Sequence, residues 1–198
     1  VLISRLSMRI ISGSQRGRKL LGPRDASVRP ALDNIREAVF NILSAEVEGA
    51  RVLDLFCGVG AFGLEALSRG ARRTHFVDNS SGSLAILGRN IELLGFDAFS
   101  SVEQGDAYGF SSADASAYDL VFADPPFPVF KEEAGAARVF EMVERVLFEE
   151  PSPERTIMVL RLPSWFRQEP PFSVEDRRVY GESAVLFLST PGDVSGSS

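Results

Sequence analysis

Asp124-Pro125-Pro126-Phe127 directly follows the apolar run Asp119-Leu-Val-Phe-Ala123, and Asp124 lies 70 residues beyond Asp54, which opens the glycine-rich turn Asp54-Leu-Phe-Cys-Gly58-Val-Gly60. A strand ending in this tetrapeptide offers a carboxylate, a carbonyl with no neighbouring N–H donor, and a flat ring to one small region of space. That set suits a planar base with an exocyclic amine. The plainer alternative is a strand-ending Pro-Pro turn followed by a core phenylalanine, and the glycine-rich turn upstream weighs against it.

Gly58-Val-Gly60-Ala-Phe-Gly63 matches G-x-G-x-x-G between an expected strand and an expected helix, where a nucleotide fingerprint belongs. Asp78 ends the next strand, 20 residues past Gly58, and can accept hydrogen bonds from ribose hydroxyls of either a nicotinamide or an adenosyl cofactor. Two features favour S-adenosylmethionine. Asp54 precedes the glycines, where a carboxylate would repel a pyrophosphate but could orient a cationic methionine group. Gly105-Asp106-Ala107 follows the third strand and places a second carboxylate where an adenine amine could be received. A dehydrogenase would also need a substrate domain, for which the chain has little room. The expected cofactor-binding residues are Asp54, Phe56, Cys57, Gly58, Gly60, Asp78, Asn79, Asp106 and Ala107.

The expected catalytic set is Asp124, Pro125, Pro126 and Phe127. An aromatic amine delocalises its lone pair and is a poor nucleophile. With the Asp124 carboxylate and the Pro125 carbonyl accepting its two hydrogens, the nitrogen can turn that pair toward a sulfonium methyl for in-line displacement. Charge-assisted bonds of this kind are worth roughly 1.5–3 kcal/mol each, whereas alignment can remove about 7–11 kcal/mol of barrier. Positioning therefore does most of the work, and no covalent intermediate is required. Phe127 would stack on the target base, worth roughly 1–3 kcal/mol. A base inside a helix must first be extruded, at a cost of a few kcal/mol.

With 198 residues the chain is long enough for one domain with a substantial core. Hydrophobic residues at 44% and charged residues at 24% are ordinary for a soluble globular protein. No apolar stretch approaches the roughly 18 residues of a membrane span, and Arg5 and Arg9 interrupt the apolar start, so a cytoplasmic protein without a membrane partner is expected. A single cysteine, Cys57, and a single histidine, His75, exclude an internal disulfide and a Cys/His zinc site, and no metal is expected. Cys57 reads as a small residue in a tight turn and His75 as a strand residue.

The net charge of −6 is uneven: residues 1–36 carry +6 and the remainder −12. A basic arm on an acidic body fits a phosphate backbone. The candidate RNA-binding cations are Arg9, Arg16, Arg18, Lys19, Arg29 and Arg36.

The elements that must position these residues alternate in type. Residues 1–28 read as an N-terminal extension and basic β-hairpin joined at Gly13-Ser-Gln, 29–190 as the main domain, and 191–198 as a flexible Gly/Ser-rich tail. After Pro30, helical spacing of Leu32, Ile35, Ala38, Val39, Ile42 and Leu43 predicts a core-facing helix with Arg36 and Glu37 at its edge. Strands are expected over Arg51–Leu55, Thr74–Asp78, Ser101–Gln104, Asp119–Ala123 and Thr156–Leu162, with helices over Ala61–Arg69, Ser81–Leu94 and Gly135–Leu147. Tyr108–Ala117 reads as a short helix or loop, and Ser173–Tyr180 with Ala184–Leu188 as a closing antiparallel pair. The fold class is α/β: a mostly parallel, Rossmann-like sheet with helices on both faces and the hairpin appended.

Met8-Arg-Ile-Ile-Ser-Gly-Ser-Gln-Arg-Gly-Arg-Lys-Leu20, Arg29-Pro-Ala-Leu-Asp33-Asn-Ile-Arg36-Glu37-Ala-Val-Phe40-Asn-Ile-Leu43, Val52–Gly60 and Asp124–Phe127, in that order, resemble the RsmD family. The resemblance runs from Met8 to about Leu188. Ala31 and Asn34 depart from a threonine and a basic residue common at those positions. The resemblance implies a class I methyltransferase fold of seven strands, S-adenosylmethionine as donor, and the N2 amine of a guanine in small-subunit (16S) ribosomal RNA as target, free or within a small-subunit particle. A monomer is expected. The residues alone leave open a DNA adenine-amine methyltransferase, a protein-glutamine methyltransferase, a non-catalytic RNA-binding assembly factor with a relic pocket, and a nicotinamide oxidoreductase.

Overall fold

The computed structural model describes residues 6–22, 30–110, 118–148 and 155–190. Arg29, the boundary drawn at 28 and 29, residues 111–117 of the 108–117 segment and the 191–198 tail lie outside the described residues. The chain opens on the antiparallel pair β1 (Leu6–Arg9) and β2 (Lys19–Leu21), followed by α1 (Pro30–Leu43). Then come β3 (Arg51–Leu55), α2 (Ala61–Ser68), β4 (Arg73–Asp78), α3 (Ser81–Leu94), β5 (Ser100–Gln104), β6 (Leu120–Ala123), α4 (Glu133–Phe148), β7 (Ile157–Pro163), β8 (Asp176–Tyr180) and β9 (Ser183–Ser189).

Seven strands form one sheet in the order β5-β4-β3-β6-β7-β9-β8. The first five are mutually parallel, and β9 runs antiparallel to both β7 and β8. Val52, Phe76, Phe122, Val159 and Val185 face α1, α2 and α3 on one side. Leu53, Leu55, Val121, Leu160 and Leu186 face α4 on the other. Burial of both faces explains why the central strands read as unbroken apolar runs rather than as alternating ones.

The expected strands and helices differ from the observed ones by a few residues at their ends. Asp119, expected as the first residue of a strand, instead turns its carboxylate onto the Arg51 backbone N–H at 2.7 Å and the Arg51 guanidinium at 2.7 Å. α3 starts and stops as expected, because the Ser80 hydroxyl accepts from Ser83 N–H and Gly95 closes the helix in the left-handed region. Ala107–Gly109 forms a single 3-10 turn begun by the Asp106 side chain.

The hairpin is a strap, not a projecting arm. Ile11 and Ser12 donate their N–H groups to Glu65 at 2.7 and 3.0 Å, and Ser14 and Gln15 donate to Ser68 at 2.7 and 3.0 Å. Gly13, at φ +82°, passes so close to α2 that a Cβ there would lie 1.8 Å from the Ser68 carbonyl oxygen. α2 runs back from the carboxyl end of β3 toward the amino end of β4, so the hairpin tip sits at the amino ends of the parallel strands.

Candidate active site

Three backbone bonds draw the loops after the central strands together. Cys57 N–H reaches Val77 O at 3.1 Å, Gly105 N–H reaches Asp78 O at 3.1 Å, and Asp124 N–H reaches Leu55 O at 3.4 Å. The loops carrying the glycine turn, Asp78, Asp106 and Asp124 therefore meet at the carboxyl edge of the sheet, where open α/β sheets bind ligands.

On the acceptor side, Ala123 pairs with Leu55 and with Leu160, which puts Asp124 one residue past the sheet and beside Arg161 of β7. Arg161 Nη1 lies 2.7 and 2.6 Å from the two oxygens of Asp124, and its Nε lies 3.3 Å from the Ser183 hydroxyl. The guanidinium carbon also lies 4.6 Å from the centre of the Phe127 ring, within cation–π range. Burial pushes the Asp124 carboxyl above its ordinary range, and the Arg161 charge and hydrogen bonds oppose that. Pro125 is buried and Pro126 exposed, and Phe127 opens the 3-10 turn Phe127–Lys131, half-buried. The structure thus brings the Asp124 carboxylate and the Phe127 ring together at one guanidinium.

On the cofactor side, Phe56 is at φ +57°, a left-handed conformation that a bulky residue seldom adopts. It turns the chain out of β3 and packs edge-on against Tyr108, ring centres 4.8 Å apart. Gly58 follows at φ +56°, and a Cβ there would meet nothing within 4 Å, which leaves open space over its backbone. Gly60 caps α2 at φ +86°, and a Cβ there would lie 2.4 Å from Leu87 Cδ1. Asp78 accepts from Gly58 N–H and Ser80 N–H, both at 2.8 Å, one on each oxygen. Each oxygen keeps a further lone pair, so a ribose diol fits this carboxylate. Asp106 accepts from Tyr108 N–H at 3.1 Å and faces Arg138 at 3.4 Å, with Ala107 buried behind it. Asn79 is exposed, and its carbonyl accepts from Gln104.

Asp54, expected to orient a cationic methionine group, lies beneath the surface of the turn. It is 2% exposed, and one of its oxygens accepts Gly63 N–H at 2.9 Å, so it ties the first turn of α2 to β3. Burial, with smaller contributions from Asp124 and Asp78, pushes its carboxyl up to about 8. Cys57 is buried and its thiol is pushed well above its ordinary value by burial, which makes it inert.

The expected RNA-binding cations separate into groups. Arg9, Arg16, Arg18 and Lys19 are exposed. Arg16 belongs to the hairpin tip, and Arg18 donates to Leu93 O at 2.8 Å near the end of α3, so both lie far from the carboxyl edge. Arg36 is a correction: it is 2% exposed, donates to Arg9 O at 2.6 Å and to Asp33 at 3.1 Å, and lies 3.7 Å from Glu65. Its cost of desolvation is offset by two carboxylates inside the molecule, and it braces the hairpin instead of facing a ligand.

Arg161 is not among the expected site residues. Its signal is a lone cation in the apolar run Ile157-Met-Val-Leu-Arg161-Leu-Pro163. Tyr108 is absent from the expected set as well. It carries Arg138 over its ring at 4.3 Å, and its carbonyl accepts Arg145 Nη1 at 2.6 Å.

Comparison with known proteins gives this geometry a family. The chain is 38% identical over 120 residues, 61% of its length, to "Ribosomal RNA small subunit methyltransferase D" of Escherichia coli (strain K12), and that match spans 60% of the relative. A hypothetical protein of Thermus thermophilus superposes with a TM-score of 0.71 at 27% identity, covering 91% of this chain and 98% of that one. The magnesium protoporphyrin IX methyltransferase of Synechocystis PCC 6803, solved with bound S-adenosylmethionine, shares the fold alone, with a TM-score of 0.59 at 17% identity over 82% of this chain and 81% of that one. The fold is that of the class I methyltransferases. A family model matches residues 8–188, and the chain belongs to that family, described as Conserved hypothetical protein 95, the RsmD family.

Proposed function

We propose that the chain transfers a methyl group from S-adenosylmethionine to the exocyclic N2 amine of a guanine in small-subunit ribosomal RNA. The observation that carries this reading is that the Asp124 carboxylate and the Phe127 ring meet at Arg161 on the carboxyl edge of the sheet, one strand from the glycine turn. The relative named as a ribosomal RNA small subunit methyltransferase supports the substrate class.

The residues divide the work. Asp78 holds the ribose diol, the open backbone at Gly58 lets the cofactor approach, and Asp106 with Ala107 frames the adenine. S-adenosylmethionine, when bound, supplies a methyl group on a sulfonium. Phe127 stacks the extruded base. The Asp124 carboxylate and the Pro125 carbonyl accept the two amine hydrogens, which points the nitrogen lone pair at the methyl. As the new N–C bond forms and the S–C bond breaks, one amine proton becomes acidic, and Asp124 is the nearest group of this chain able to take it. Among the described residues no cluster of His, Cys, Asp and Glu could hold a metal ion, and no helix is long and apolar enough to cross a membrane. A ribosomal RNA substrate would set the enzyme to work in the cytoplasm.

The test is the nucleoside profile of ribosomal RNA from a strain lacking the gene. One N2-methylguanosine should disappear and return on complementation. An unchanged profile, or tritium transfer to DNA in place of ribosomal RNA, would overturn the reading.

A further inference from the structure

Arg161 makes two of the three contacts that the acceptor base is expected to make, those to Asp124 and to Phe127. Its planar guanidinium donates to both Asp124 oxygens and covers the Phe127 ring at 4.6 Å. Guanine's Watson–Crick edge presents N1–H and N2–H donors on a planar amidine, which is a close chemical match to a guanidinium. Adenine presents an acceptor beside its single amine, and a guanidinium is a poor likeness of that edge. On the core side of the pair, Val39, Phe62, Phe122, Val159 and Val185 bound a void of about 10 Å³. That void holds one water at most, so the pair is closed off on that side.

We infer that Arg161 is a resident stand-in for the guanine, a positioning residue that fills the acceptor seat and yields it when the base enters. This rests on the reading above that Asp124–Phe127 receives an exocyclic amine. Two consequences follow from the geometry. Arg161 favours the charged form of the Asp124 carboxylate and holds its rotamer until the base replaces it. It also competes with the base, so only an RNA that gains binding energy elsewhere can open the seat, and the protein is protected from free guanine. The charged group facing Asp124 from β3 is Asp54 and from β7 is Arg161; β9 contributes the neutral Ser183 hydroxyl, and α1 and α2 contribute the apolar Val39 and Phe62.

The experiment compares wild type, Arg161→Ala and Arg161→Lys in steady-state transfer to a ribosomal RNA fragment, from acid to alkaline pH, with and without millimolar methylguanidinium. Arg161→Ala should lose activity on the acid side, because its Asp124 charges only at higher pH. At alkaline pH its KM should fall by about tenfold, the gain expected when a seat open one-tenth of the time becomes always open. Methylguanidinium should inhibit Arg161→Ala competitively against RNA and leave wild type untouched. Arg161→Lys should restore the acid side. If instead KM rises at every pH and methylguanidinium restores the activity of Arg161→Ala, Arg161 stays in place during transfer and the inference is overturned. No response to methylguanidinium with unchanged KM overturns it equally. If wild type itself transfers no methyl to ribosomal RNA, the fault lies with the proposed function; binding of methylguanidinium to Arg161→Ala but not to wild type, read by calorimetry, then still decides whether the guanidinium seat exists.

Discussion

Arg161 reaches across from the neighbouring parallel strand and holds both oxygens of Asp124 with a single nitrogen, at 2.7 and 2.6 Å. The two side chains are 11% and 28% exposed, so the pair is mostly withdrawn from water. Breaking such a pair from one side strands the other charge. Asp124→Asn keeps the shape and removes the charge. Methyl transfer should fall by about 100-fold or more, the loss typical of removing one group that acts at the developing charge. Cofactor binding, read by calorimetry, should persist.

Asp54 makes both stability and cofactor binding depend on pH. Its carboxyl rises from 3.8 to about 8 on folding, first through burial and then through Asp124 and Asp78, with Gly63 N–H opposing. The folded chain therefore binds one more proton than the unfolded chain between those values. Stability should decline as pH rises from about 4 to about 8 and level off above. Asp54→Asn, which still accepts from Gly63 N–H, should flatten that slope in urea melts; a slope unchanged from wild type would assign it elsewhere. A cationic methionine group arriving nearby favours the carboxylate. Cofactor binding below pH 8 should accordingly release a proton, detectable as a binding enthalpy that varies with buffer.

Glu65 joins the hairpin to the body from inside. It is fully buried and accepts from Ile11 N–H, Ser12 N–H and Arg69 Nε at 2.7, 3.0 and 2.8 Å, with Arg36 at 3.7 Å. Glu65→Ala strips the two N–H groups and Arg69 Nε of their acceptor and removes one of the two carboxylates beside buried Arg36, and should cost about 3–5 kcal/mol in denaturant unfolding. Glu65→Gln should cost less, because it retains an acceptor for one of the two N–H groups.

Two glycines of one motif should respond to substitution for different reasons. A Cβ at Gly63 would lie 2.3 Å from Phe76 and 2.7 Å from Thr74, so Gly63→Ala overpacks the core and should lose about 1–3 kcal/mol of stability. At Gly58 nothing lies within 4 Å, and only φ +56° resists a side chain. Gly58→Ala should cost about 1–2 kcal/mol of stability and weaken cofactor binding more than Gly63→Ala does, because its methyl stands where the cofactor approaches. Thermal melts and calorimetry on the two variants separate these effects.

Local chemistry determined much of this protein before folding is considered. Short apolar runs such as Leu120–Ala123, bounded by turn residues, suit strands buried on both faces, Ser80 and Gly95 start and stop α3, and Asp124-Pro125-Pro126-Phe127 ends a strand with an acceptor and a ring. These are properties of neighbours in the chain. What the tertiary structure decided are pairings between distant residues. The sheet order sets Arg161 beside Asp124, 37 positions apart, and nothing in the spacing of either residue predicts the other. Arg36 reads as an RNA contact because its charge is visible in sequence and its burial is not; only the packing of α1 against the strap and α2 supplies Glu65 and Arg9 O to compensate it. The same packing turned the basic hairpin's tip to the amino ends of the strands. Local residue types fix which groups a chain can offer, and the arrangement of strands and helices sets the dielectric and the partners that determine what those groups do.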